Sequence, residues 1–183
     1  SFLKDKKLKV IHNGIDLNIF KPLIISRKNT DCYKVLAVSS LWTKEKGLFD
    51  ICKLRALLSM DIEIVLVGVS PKQQKNLLDG VIGIQRTQNV GELVQLYNEA
   101  DVLINPTYAD TFPTVNLEAL ACGTPVITYN TGGSPEAIDE TTGIVVPQGD
   151  VKALAEAILK LRREPLSSEA CRKRAEVYFV TDK

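Results

Sequence analysis

The chain has 183 residues, enough for one domain with its own core, and a formal net charge of +1, so no global field draws it to nucleic acid or an anionic surface. Hydrophobic residues make up 45% and charged residues 25%, and no apolar run reaches the roughly 20 residues that span a bilayer, so neither a disordered chain nor a membrane-spanning helix is expected. The first ten residues are Lys-rich and lack a signal-peptide core. Cys32, Cys52, Cys122 and Cys171 stand far apart with no CxxC pair, and His12 is the one histidine. Buried free thiols fit this pattern better than a zinc site, and no metal is expected.

The elements alternate. Residues 8–11 read as a strand, and Asn13-Gly14-Ile15-Asp16 with His12 as the turn after it. Little regular pattern follows as far as residue 31, so residues 1–31 are expected to be an interdomain linker leading into a domain over 32–183. Short β-branched runs then recur at 35–38, 62–67, 81–84, 102–104, 126–128 and 144–146. None alternates apolar with polar, the mark of strands covered on both faces of a parallel sheet. Helical stretches lie between them, over 48–58, 71–78, 90–99 and from Pro113 to a C-capping Gly123. Another follows Asp150, a good N-cap, with Val151, Leu154, Ala155, Ile158 and Leu161 as its apolar stripe. A last helix is expected over 168–178. The alternation predicts an α/β, doubly wound, six-stranded parallel, Rossmann-like domain.

In such sheets ligands bind beyond the carboxyl ends of the strands. Neither GxGxxG nor GxxxxGK[ST] occurs in the loops there, which argues against a dehydrogenase or a P-loop ATPase. The most informative loop runs from Asn105 through Asp110, Phe112 and Pro113 to Glu118. A helix opening near Pro113 offers free backbone N–H groups and a positive dipole end, which suit a diphosphate. Asp110 and Glu118 would then lie at different depths of one cleft and accept hydrogen bonds from sugar and ribose hydroxyls. The same spacing also suits a helix cap at Asp110 and a solvated helix residue at Glu118.

Three ordered segments resemble family 4 glycosyltransferases. Asp110 to Glu118, continued by Ala119-Leu120-Ala121-Cys122-Gly123-Thr124-Pro125 and Gly132-Gly133-Ser134-Pro135-Glu136, resembles the donor-binding signature written E-x7-E. Asn13-Gly14-Ile15-Asp16 resembles the family's passage into its C-terminal domain, and Lys44-Glu45-Lys46-Gly47 its diphosphate loop. Three departures stand out: Asp110 replaces the usual Glu, Thr111-Phe112-Pro113 the usual Gly-Phe-Gly, and Ser40-Leu41 the usual Gly-Arg, with Lys44 as a substitute for the arginine.

The resemblance implies the C-terminal half of a GT-B enzyme that is retaining and metal-independent, with no cofactor beyond its nucleoside diphosphate sugar. Taken with the alternation, it implies the strand order 3-2-1-4-5-6. It implies Lys46 and Asp110 as catalytic, Lys46 on the diphosphate and Asp110 on the donor sugar. It places Glu118 on the ribose, Phe112, Thr114 and Val115 in backbone contacts, Thr87 or Gln88 at the base, and Gly132 and Gly133 close to the ligand. His12 is read as a packing residue. An acceptor-binding N-terminal domain has no counterpart in this chain, so the chain alone is expected to be inactive. A bacterial polysaccharide or glycoconjugate pathway in the cytoplasm is implied, with peripheral association of the full-length enzyme at the inner face of the membrane. A GT-B nucleotide-sugar epimerase and a non-catalytic binding module are the competing readings.

Overall fold

The computed structural model describes residues 13–24 and 32–179. Six strands form one parallel sheet: β1 (Tyr33–Val38), β2 (Ile62–Val67), β3 (Val81–Ile84), β4 (Val102–Asn105), β5 (Val126–Tyr129) and β6 (Gly143–Val146). Their order is β3-β2-β1-β4-β5-β6, as the sequence predicts, and every neighbouring pair is parallel. The helices are α1 (Leu48–Arg55), α2 (Pro71–Gln74), α3 (Val90–Glu99), α4 (Thr114–Ala121), α5 (Val151–Arg163) and α6 (Ser168–Phe179). A 3-10 turn over Ser134–Ala137, absent from the sequence reading, lies between β5 and β6.

Both faces of the sheet are covered, which is why the strands read as unbroken apolar runs. Leu36, Val67, Leu103 and Val126 pack under α3, α4 and α6 against Val94, Tyr97, Leu117, Cys171 and Ala175. Val35, Ala37, Leu66, Ile104 and Ile127 point the other way, onto Ile51 and Leu54 of α1 and Leu154, Ile158 and Leu161 of α5. The expected stripe of α5 is the buried one, and Asp150 caps it by accepting from the Ala153 amide at 2.9 Å. The four cysteines are free, and burial pushes the Cys122 and Cys171 thiols up to about 12.

Two helices end earlier than their sequence pattern suggests. The first was expected to reach residue 58 but closes at Arg55. The buried Arg55 guanidinium donates to the carbonyls of Leu58 (2.5 Å), Ser59 (2.6 Å) and Ile62, which folds the chain back toward β2. The second closes at Gln74, not 78: it is one turn held by a Ser70/Gln73 capping box, and the Gln74 amide leaves it to donate to the Gly83 carbonyl at 3.0 Å. The last turn of α4 is followed by Gly123 at φ 84°, the left-handed residue that ends a helix.

The segment before the sheet packs on the domain. Ile15 and Phe20 are buried in the α3/α4/α6 layer, and the Phe20 ring meets Tyr97 edge-on at 6.2 Å. Arg172 of α6 donates to the carbonyls of Phe20 (2.7 Å), Ala121 (2.9 Å) and Leu17 (3.3 Å). Residues 1–12 and 25–31 of the expected linker, among them the expected strand over 8–11 and His12, lie outside the described residues.

Removing the α5 cap tests how the fold is held. Asp150→Ala should cost about 1 kcal/mol and lower the thermal midpoint by about 2–4 °C. An unchanged midpoint in a scanning melt would show that the cap is idle.

Candidate functional site

The sheet's order reverses between β1 and β4, and the loops leaving these neighbours open a crevice at their carboxyl ends. A pocket of about 310 Å³ lies there, lined by Ser39, Ser40, Trp42 and Lys46 after β1, Asn105 and Asp110 to Val115 after β4, and Asn13. A glycine makes the crevice narrow. A Cβ on Gly47, at φ 80°, would come within 2.2 Å of the Pro106 carbonyl oxygen, so the two loops touch through backbone.

Inside the pocket Lys46 Nζ stands 2.9 Å from Asp110 Oδ2. The lysine side chain is 38% exposed and the aspartate 20%, so the pair sits at the mouth rather than in the core. Asp110 Oδ1 accepts from the Phe112 amide at 3.3 Å, which holds the loop in a local turn. Asp110 is therefore not the cap of α4: that place belongs to Pro113, which has no side-chain cap bond. The first amides of α4 have no partner within the helix, and Thr114 and Val115 face the pocket there. The Asn13 amide donates to the Phe112 carbonyl at 3.3 Å and so joins the leading segment to the site loop.

Gly132 and Gly133 lie behind this loop. A Cβ on Gly132 would fall 1.9 Å from the Asp110 carbonyl oxygen, and one on Gly133 would fall 2.1 Å from that of Thr111. They support the loop and do not line the pocket. Asn116, fully buried, accepts from the Asn105 amide at 2.9 Å and donates to the Ser134 carbonyl at 3.3 Å, which fixes α4 to the end of β4 and to the 3-10 turn. An amide on the inner face of an otherwise apolar helix was the available signal for it.

Glu118 is on the inner part of α4 but outside this pocket. Its Oε2 accepts from the Tyr97 hydroxyl at 2.7 Å, so the solvated-helix reading does not hold. Burial raises the Glu118 carboxyl above its ordinary 4.5, opposed by hydrogen bonds from Tyr97 and Thr114. Tyr97, wholly buried, was missed because it ends the apolar stripe of α3 and reads as core. Thr87 and Gln88 follow β3, away from the pocket; the Gln88 amide donates to Glu92 Oε2 at 2.6 Å. Lys44 does not line the pocket either. The structure thus brings together Lys46, Asp110, Phe112, Thr114 and Val115, and leaves Glu118, Thr87, Gln88, Gly132 and Gly133 around them.

The family model for glycosyl transferases group 1 matches residues 32–164. The chain belongs to this family. It is 31% identical over 150 residues to the capsular polysaccharide biosynthesis glycosyltransferase CapM of Staphylococcus aureus, a match covering 74% of this chain and 40% of CapM. The chain spans less than half the length of the curated relatives it matches. A sucrose-phosphate synthase from Thermosynechococcus elongatus superposes with a TM-score of 0.81 at 29% identity, over 91% of this chain and 47% of that one. The C-terminal domain of a group 1 glycosyl transferase from Francisella tularensis (LpcC) superposes with a TM-score of 0.69 at 19% identity, over 91% of this chain and 95% of that domain. The fold is thus that of the C-terminal domain of GT-B glycosyltransferases.

The buried carboxylate gives a pH test. A folded-state value above 4.5 means that ionising Glu118 costs the native state; its contribution to stability is full below 4.5 and is lost as pH rises through the raised value. Glu118→Gln removes that loss. The difference in melting temperature, variant minus wild type, should therefore climb as pH rises from about 4.5 toward neutral. A flat or falling difference would show that the carboxylate is stabilised, not strained, by its site.

Proposed function

We propose that this chain is the donor-binding half of a retaining glycosyltransferase, which moves a sugar from a nucleoside diphosphate sugar to an acceptor hydroxyl. The observation that carries the proposal is Lys46 facing Asp110 at 2.9 Å beside the open N-terminus of α4. A cation and free backbone amides suit a diphosphate, and a carboxylate next to them suits sugar hydroxyls. In this reading the diphosphate takes Lys46 away from Asp110. An ion pair this exposed is worth only about 0–1 kcal/mol, so a ligand with several negative charges displaces it readily. Asp110 is then released to the donor sugar. Glu118 holds the ribose, Phe112, Thr114 and Val115 contact the sugar and phosphates through backbone, and Thr87 or Gln88 meets the base.

The bond between the anomeric carbon and the diphosphate oxygen breaks as the acceptor oxygen bonds to the same face. The departing diphosphate, stabilised by Lys46, takes the acceptor's proton, so no protein nucleophile is required. Charge is neutralised by protein groups, and binding is expected to persist in excess chelator. The acceptor is held by a separate N-terminal domain, and this chain alone binds donor without transferring sugar. The likeness to CapM supports a place in polysaccharide or glycoconjugate synthesis. In this reading the full-length enzyme works in the cytoplasm, at the inner face of the membrane. Among the described residues no helix is long and apolar enough to cross a membrane.

Calorimetry with uridine, guanosine and adenosine diphosphates, bare and sugar-bearing, tests the division of roles. Glu118→Gln should weaken both forms by about 5- to 150-fold, since an amide accepts weaker hydrogen bonds than a carboxylate. Asp110→Asn should bind the bare diphosphate at least as tightly as wild type, because it no longer holds Lys46, and should weaken the sugar-bearing form alone. Equal losses on both ligands for both variants would overturn the assignment.

A further inference from the structure

Lys46 and Asp110 lie 64 residues apart on two loops, and an exposed ion pair is too weak to hold two loops in register. Something else must fix their separation before a ligand arrives. Tyr108 makes the required connections. Its amide donates to the carbonyl of Glu45, the residue before Lys46, at 2.7 Å. Its hydroxyl donates at 2.6 Å to Oδ2 of Asp50, on the first turn of α1 just after Lys46. Its own carbonyl accepts from the Gln148 amide at 2.9 Å, and Thr107 beside it donates to the Glu45 carbonyl at 3.4 Å. Asp110 follows two residues later. One residue therefore ties both flanks of Lys46 to the loop that carries Asp110, the upstream flank through its backbone amide and the downstream flank through its hydroxyl.

Asp50 is an unusual residue for this purpose, being only 3% exposed. A buried carboxylate is costly unless its oxygens are satisfied. Here Oδ2 accepts from both Tyr108 and Tyr129 (2.9 Å), and Lys53 Nζ stands 3.4 Å from Oδ1. Tyr129, at the end of β5, is wholly buried and meets the Tyr108 ring edge-on at 5.7 Å. Tyr108 itself is 38% exposed, so burial alone does not explain its place. The hydrogen bond to Asp50 is also the leading cause that raises the Tyr108 hydroxyl above its ordinary 10. The β6–α5 turn closes over it: a Cβ on Gly149 would lie 3.0 Å from the hydroxyl.

We propose that Tyr108 and Asp50 are positioning residues that set Lys46 and Asp110 at the separation the donor diphosphate and sugar require. They touch no ligand and act through Lys46. The inference rests on the donor-site reading of Lys46 given above.

The test is a pair of double-mutant cycles on the 183-residue chain, with uridine, guanosine and adenosine diphosphates as probes, each variant accompanied by a thermal melt. Lys46→Ala should weaken the tightest of the three. Tyr108→Phe keeps the ring and loses only the hydroxyl, and should weaken the same probe by about 3- to 30-fold in the wild-type background. In the Lys46→Ala background it should have almost no further effect. Asp50→Asn, run in the same way, should repeat this pattern, because the amide holds Tyr108 less firmly than the carboxylate. A general loss of fold would lower affinity equally in both backgrounds. So a Tyr108→Phe effect that is absent, or as large without Lys46 as with it, would overturn the positioning role and leave the donor site standing. If Lys46→Ala itself left every probe unaffected, the donor-site reading would fall and the positioning role with it.

Discussion

A single opposition of charge, Lys46 against Asp110, stands at the one place where the sheet changes direction of growth. From β1 the chain builds outward to β2 and β3, then returns to place β4 on the other side of β1. Loops leaving β1 and β4 diverge there, and a crevice forms without any residue being spent on it. The rest of the architecture serves to hold two small loops at the lip of that crevice. The Lys46 loop ends on a left-handed glycine pressed against Pro106. The Asp110 loop rests on Gly132 and Gly133 and ends in the uncapped N-terminus of α4.

Two kinds of force do this work, and they divide by depth. Below the crevice, branched apolar strands bury both faces of the sheet and fix its register. At the crevice, polar groups take over: Asn116 bridges Asn105 and Ser134, Tyr97 supports Glu118, and Asp50 gathers two tyrosine hydroxyls. Buried polar groups of this kind are directional, and each satisfied one fixes a loop where apolar packing would leave it free to slide. The ion pair at the mouth is by comparison weak and replaceable, as a ligand site requires.

The sheet was legible because its strands are short, β-branched and apolar on both sides, and because the turn before α5 carries a cap at Asp150. Strand order followed from the alternation together with the family resemblance. The helix ends over 56–58 and 75–78 were not legible. They are decided by Arg55 and Gln74 bonding to carbonyls distant in the fold, which a local apolar pattern cannot register. The site was half legible. Lys46 and Asp110 stood out by motif, and the structure brings them together across 64 residues. Tyr97 and Asn116 did not stand out, since a tyrosine or amide in an apolar stretch reads as core until its partner is known; Tyr108 and Asp50 did not because their bond joins two segments distant in the chain. Glu118 was singled out by spacing, yet its contact with Tyr97 depends on how α3 packs on α4.

The central claim is that the crevice between β1 and β4 binds a nucleoside diphosphate through Lys46. The most direct measurement is a crystal structure of the chain soaked with the tightest-binding of the uridine, guanosine and adenosine diphosphates. The account predicts the diphosphate against the first amides of α4, with Lys46 Nζ moved from Asp110 to a phosphate oxygen and the ribose toward Glu118. A nucleotide bound elsewhere, for instance in the cavity at the opposite end of the strands beside Asp101 and Pro125, with Lys46 still paired to Asp110, would contradict it.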